Sequence, residues 1–220
     1  MNRVDAPPLP WVETLRDGTL VLVRPISADD RALERTFIEE MSPVSRHFRF
    51  FDTMTSPSPA LLTLLTAIDP ETDVAFVALL AQPGSATEIG VARFSAQADR
   101  SDCEFAITVG DAWQKKGLGT LLMRRLIHAA QERGIAAMHA ISASDNDAMR
   151  RLAEPLGLRR TCDPEDGAQV VYRIALPSKL GLQAGHEDPT DPRPAAVEVG
   201  YRTDALPGEA QAASSADSRD

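Results

Sequence analysis

The segment that most constrains this chain runs from Glu104 through Val109, Gln114 and Gly117 to Gly119. It predicts a β-strand carrying one acid, a short turn, and a glycine-bearing loop that opens a long apolar helix. A helix start has unpaired N–H donors and a partial positive charge, so such a loop can hold a pyrophosphate on its backbone. Gly117 and Gly119 let a phosphate approach the main chain closely. Lys115 and Lys116 add positive charge beside it. A strand acid next to a phosphate cradle points to chemistry on a phosphate-bearing cofactor.

The flanking sequence predicts the rest of a sheet. Leu15 to Gly18 ends in an Asp-Gly turn that feeds a strand over residues 19–25. Ser27 with Asp29 and Asp30 starts a helix running to Glu40. Ser42-Pro43 starts a short one through Arg46, leading into core aromatics Phe48, Phe50 and Phe51, and residues 60–68 form a third. Strands are predicted over 73–80, 88–96 and 102–109. The helix after Gly117 carries Leu118, Leu121, Leu122 and Leu126 at helical spacing and stops at Gly134. Residues 135–142 form a strand, Asp145 or Asn146 caps a helix ending at Gly157, and strands over 158–162 and 169–176 close the sheet.

A meander interrupted by helical crossovers implies an α/β fold of α+β type. It is a mixed, mostly antiparallel sheet of about seven strands flanked by helices, with parallel pairing only across the crossover after Gly117. Residues 1–14 read as a flexible arm and 15–176 as the domain. Residues 177–220, with 4 basic and 8 acidic side chains and no periodicity, read as a disordered acidic tail.

The whole chain has 23 basic and 32 acidic residues, which argues against nucleic acid as a partner. Cys103 and Cys162 are too few for a disulfide framework and show no metal-ligand spacing, so a reducing cytoplasm and no metal are expected. Met1 to Pro10 has no apolar run suited to a signal or anchor, and no membrane association is expected.

Gln114-Lys-Lys-Gly117-Leu-Gly119 resembles the Gln/Arg-x-x-Gly-x-Gly/Ala motif of the GNAT superfamily of acyl-CoA N-acyltransferases. Asn146, Met149, Leu152, Gly157 and Leu158 resemble that superfamily's second motif. Arg24-Pro-Ile26, the stretch from Ser42 to Phe51, and Glu104-Phe-Ala are most similar to Pat-type bacterial protein lysine acetyltransferases. The resemblance implies acetyl-CoA as cosubstrate. Its pyrophosphate would lie on Gln114, Lys115, Lys116, Gly117, Leu118, Gly119 and Thr120. Its pantetheine arm would pair with the main chain of Ile107, Thr108 and Val109, and Asn146 would hydrogen-bond the same arm. As a residue, Asn146 also reads as an ordinary helix N-cap. The resemblance further implies direct attack by an amine on the thioester, with the oxyanion held by a backbone N–H near Val109. Protein lysine, on CoA-ligase-type enzymes, is the acceptor it suggests, and a monomer or homodimer is expected.

A lysine amine has a reference pKa of about 10.4, so at pH 8 only about 0.4% is free base, a deficit of roughly 3.3 kcal/mol. A carboxylate near the thioester can remove that proton directly or through a water. Strand alternation alone leaves Glu104 two readings, a solvent-facing residue or one aimed at the reacting centre; the resemblance implies the catalytic glutamate. The tyrosine that many GNAT enzymes carry seven residues after the motif asparagine is Ala153 here, as is common in Pat-type domains. Cys103 should point away from Glu104, and the scattered histidines, His139 included, read as packing or surface residues. A small-amine acetyltransferase and a non-catalytic acyl-CoA-binding module are the competing functions.

Overall fold

The alternation of β3 (Asp73–Gln82) explains the architecture, because its unbroken apolar run serves two cores at once. Val74, Phe76 and Ala78 join one cluster with Leu118, Leu122 and Leu126 of α4 (Leu118–Glu132). Ala75, Val77 and Leu79 join a second with Phe37 and Met41, in and just after α1 (Arg31–Glu40). A strand covered on both faces has no polar side. Each fully buried Leu or Phe stabilises the fold by about 1.5–3 kcal/mol. The computed structural model describes residues 10–82, 85–163 and 166–177.

One eight-stranded sheet runs in the order β1-β2-β3-β4-β5-β6-β8-β7. Its strands are β1 (Trp11–Thr14), β2 (Leu20–Pro25), β3, β4 (Ser85–Ala96), β5 (Cys103–Val109), β6 (Ala137–Ala143), β7 (Arg159–Cys162) and β8 (Gln169–Ala175). Every pairing is antiparallel except β5 with β6, as the crossover predicts. Helices α2 (Pro43–Phe50), α3 (Pro59–Thr66) and α5 (Asp147–Ala153) complete the fold.

Three expectations need correction. Residues 11–14 are not part of a flexible arm but an eighth strand. Trp11 packs edge-on against Phe76 at 5.5 Å, and Glu13 pairs with Arg125 of α4. The Asp-Gly turn already required a strand on each side of it. Helix α2 continues past Arg46 to Phe50 and ends at Phe51, which adopts a left-handed φ of 51° and is 46% exposed rather than core. The first regular helix begins at Arg31, not Ser27. Asp30 accepts two bonds from Arg24 at 2.7 Å and one from the Ser27 N–H at 2.8 Å, which holds residues 28–30 in a 3-10 turn. The first nine residues of the expected arm and residues 178–220 of the expected tail lie outside the described residues.

Candidate active site

The site begins where two strands part. β5 and β6 pair at only two positions, Cys103 with Met138 and Glu104 with His139. β5 stays paired to β4 along its whole length, whereas β6 turns to β8. The edge of β5 from Phe105 to Val109 is therefore left open to another extended chain. Glu104 sits at the apex of the split. A cleft of about 390 Å³ lies further along β5, with Ile107, Thr108 and Val109 on one wall and Asn146, Met149 and Leu152 on the other, and Glu104 is not among the residues that line it. The Thr108 hydroxyl is buried and has no partner among the described residues.

The loop after β5 closes the mouth of this cleft. The Gln114 side-chain amide donates to the Val109 carbonyl at 3.4 Å. Lys115 and Gly117 adopt positive φ values of 63° and 92°. Gly117 then starts α4, whose first internal bond runs from the Leu121 N–H to the Gly117 carbonyl. No side chain caps this helix. The N–H groups of Leu118, Gly119 and Thr120 thus lack intrahelical partners beside the cleft. A Cβ on Gly119 would meet Leu152 at 3.5 Å and Val109 at 3.6 Å, ordinary contact with both walls of the cleft.

Most of the expected cofactor residues converge. Ile107, Thr108, Val109, Gln114, Lys115, Gly117, Gly119, Thr120 and Asn146 all line the cleft. Two do not offer side chains to it. Leu118 is fully buried in the core beneath the loop, so only its N–H is available. Lys116 lies 3.2 Å from Asp17 and stacks 4.5 Å over Trp113, turned into a neighbouring groove. Asn146 caps α5, its Oδ1 accepting from the Met149 N–H at 3.0 Å. That cap uses the side-chain oxygen and not the amide donors.

Arg16 is a residue the sequence reasoning missed. The β1–β2 hairpin docks on the phosphate loop through a bond from the Arg16 N–H to the Lys116 carbonyl at 3.2 Å. The Arg16 side chain lies over Gly117, within 3.3 Å of where a Cβ would stand. The cleft lining carries Arg16, Arg49, Lys115 and Arg151 and no carboxylate. Only contact through folding brings Arg16 here, since it lies about a hundred residues before the loop.

Cys103 faces the α4 core, opposite Glu104, as alternation requires. Glu104 is half-buried on the face covered by α2. Burial raises its carboxyl above the ordinary value, against the opposing pull of His139 and Arg49. Helix α2 is pinned there by Asp111, which accepts from the Ser42 N–H at 2.8 Å, the Ser42 hydroxyl at 3.0 Å and the Ser45 hydroxyl at 2.7 Å. Burial alone would raise the Asp111 carboxyl, but these bonds take it below the usual range. The Ser42-x-x-Ser45 spacing thus serves as both helix cap and tether. Together the elements set a polar apex at the split, an extended backbone edge beyond it and, beside the cleft, an uncapped helix start with unpaired N–H groups.

The family description that matches is the acetyltransferase (GNAT) domain, over residues 20–159. An acetyltransferase of Pseudomonas aeruginosa is 43% identical over 166 residues, which is 76% of this chain and 89% of that protein. The acetyltransferase Pat of Mycolicibacterium smegmatis is 32% identical over 145 residues, 65% of this chain but 42% of its own length. This chain thus spans less than half of that relative. The solved GNAT domain of S. lividans PAT is similar with a TM-score of 0.69 and 26% identity, covering 76% of this chain and 97% of that domain. More distant solved neighbours sharing the fold hold acetyl-CoA. Among the described residues no helix is long and apolar enough to cross a membrane.

Proposed function

The chain belongs to the GNAT acetyltransferase family, and we propose that it transfers the acetyl group of acetyl-CoA to lysine side chains of proteins, with Glu104 as the general base. The observation that carries this reading is the split between β5 and β6, with Glu104 at its apex and an uncapped helix start at its mouth. Acetyl-CoA supplies the thioester carbonyl that the amine attacks. The open edge of residues 105–109 receives the pantetheine amides as a further strand would be received. The N–H groups of Leu118, Gly119 and Thr120, with Arg16 above Gly117, hold the pyrophosphate. A backbone N–H near Val109 holds the charge that develops on the carbonyl oxygen.

Glu104 lies about 10 Å along the strand from Ile107 and farther from Val109, so the proton of the acceptor ammonium reaches it through a chain of waters. Its raised carboxyl narrows the gap to an amine, which is what the step needs. The acceptor preference rests on charge. Arg49 beside Glu104, and a cleft lining without carboxylates, oppose a free polycation such as a polyamine or aminoglycoside. A lysine presented by a protein surface brings a single charge to the site. The Pat-type similarity supports the same class, with CoA-ligase-type enzymes as candidate targets.

The test is CoA thiol release from acetyl-CoA by the wild type and Glu104→Gln, with folded CoA-ligase-type proteins and with small amines. Release with folded proteins, reduced at least 100-fold in the variant, is expected. Release with small amines alone would reassign the acceptor. Undiminished turnover by Glu104→Gln would remove the base, and binding without any turnover would make this an acyl-CoA-binding module.

A further inference from the structure

Glu104 does not stand alone on its face of the sheet. In-register residues on neighbouring strands share a face, so the pairing of Glu104 with His139 sets an imidazole beside the carboxylate. His139 is in turn opposite Arg173 on β8, and Arg173 is opposite Arg159 on β7. Asp102 ties this row together. Its Oδ1 lies 3.1 Å from His139 Nδ1, and its Oδ2 accepts from Arg173.

Burial alone would raise the Asp102 carboxyl, yet His139 and Arg173 bring it below the ordinary range, so it is ionised at neutral pH. An ionised carboxylate only accepts, which assigns the ring proton to Nδ1 and leaves Nε2 as the acceptor of the neutral ring. The His139 side chain is 25% exposed and that of Asp102 15%, so the ring keeps contact with water while its anchor is nearly closed off. Among the described residues the charged groups around it are Asp102 just before β5, Glu104 on β5, Arg173 on β8 with Arg159 beyond it, and Arg49 on α2 beside Glu104.

A base must shed its proton in every cycle, and the partly exposed His139 ring lies beside the half-buried Glu104 on the same face of the sheet. We propose that His139 is the positioning and relay residue for Glu104, carrying to solvent the proton that Glu104 takes from the acceptor amine, with its ring fixed by Asp102 and Arg173. This rests on the reading of Glu104 as base. The acceptor N–H bond breaks as an O–H bond forms on Glu104. That O–H then breaks as N–H forms on His139 Nε2 through one bridging water, since no hydrogen bond joins the two side chains among the described residues. The imidazolium gives the proton to bulk water. Asp102 stays ionised throughout, and the cycle returns to its starting protonation.

The experiment compares wild type, Glu104→Gln, His139→Gln and His139→Ala in two readouts. The first is the pH profile of kcat and of KM for acetyl-CoA, using a folded CoA-ligase-type protein as acceptor, with and without added imidazole. His139→Ala should lose about 10- to 100-fold in kcat with KM for acetyl-CoA unchanged, and imidazole should restore part of it. His139→Gln should keep the fold and move the acid limb of the profile to higher pH, because a cation that holds the Glu104 carboxyl down is gone. The second is the NMR titration of the His139 ring in the full chain, which needs no acceptor. Its midpoint should fall in Glu104→Gln, where the neighbouring negative charge is removed. Full activity in Glu104→Gln would overturn the base assignment and this proposal together. A dead Glu104→Gln beside a His139→Ala enzyme of wild-type rate and pH profile would overturn the relay alone. So would an identical His139 titration in wild type and Glu104→Gln.

Discussion

At Gly117 one backbone torsion carries several jobs. Its φ of 92° lets the chain leave the loop and enter α4, and the missing side chain lets Arg16 lie against the turn. Alanine there would strain the backbone by about 1 kcal/mol and push the guanidinium aside. Gly117→Ala should therefore lower both the Tm and the affinity for acetyl-CoA. Arg16→Ala leaves the backbone of the turn intact and removes the side chain over it, so it should weaken binding about tenfold, one charge-assisted hydrogen bond, with a smaller change in Tm than Gly117→Ala. Calorimetric titration of both variants checks this, and wild-type affinity in Arg16→Ala would dismiss the clamp. Gly117 was legible in the sequence because its role is local. Arg16 and His139 were not, because a β-hairpin contact and a parallel register are set by tertiary pairing. Its position in the loop and the resemblance place Lys116 at the phosphate, and its side chain turns to Asp17 and Trp113, leaving the loop its backbone.

Elements were legible wherever periodicity and caps agree, as in α4 with its apolar stripe and Gly134 stop. They were misjudged where a side-chain bond overrides the local pattern, as at Asp30, and the sequence gives no sign of where one extra residue shifts a strand. Such a shift lies between Ala78 and Leu79, which pair with Gly90 and Glu88 and leave Ile89 without a partner in the register. It turns Glu88 into the layer under α1, beside Glu34, which lies 3.8 Å from Arg93. Neither Glu88 oxygen has a hydrogen-bond partner among the described residues. Burial first, then the Glu34 carboxylate, push Glu88 up to about 10 from an ordinary 4.5. The folded protein thus keeps a proton that the unfolded chain gives up above about pH 4.5, and stability falls as pH rises through that window. The slope is at most about 1.4 kcal/mol per pH unit. Glu88→Gln carries no such proton, so its stability relative to wild type should climb steadily from pH 5.5 to pH 9. Urea unfolding midpoints that stay parallel over this range would show that Glu88 is ionised in the folded state.

For the whole domain, the order of strands and helices carried both the mostly antiparallel sheet and its single parallel pairing. What no one-dimensional pattern shows is how short that pairing is. The sheet has five strands before the split and three after it, and its ladder crosses the split at only two residue pairs, beside the contacts of Asp102 with His139 and Arg173. A ligand lying between β5 and β6 supplies the pairing that the strands lack and fills the cleft between Ile107 and Leu152. Acetyl-CoA should therefore act as a structural link across the sheet as well as a substrate. At a hundredfold excess over Kd, binding to the native state alone adds about 2.7 kcal/mol. For a domain of this size that is roughly 5–10 °C in Tm. Hydrogen exchange should localise the effect, slowing the amides of residues 105–109 and of the first turn of α4. The outer strand pairs, such as β7 with β8, should show the smaller gain of global stabilisation only. A rise in Tm with no added protection along β5 would mean that the cofactor is held by its phosphates alone, and the strand-like seating of the pantetheine arm would have to be abandoned.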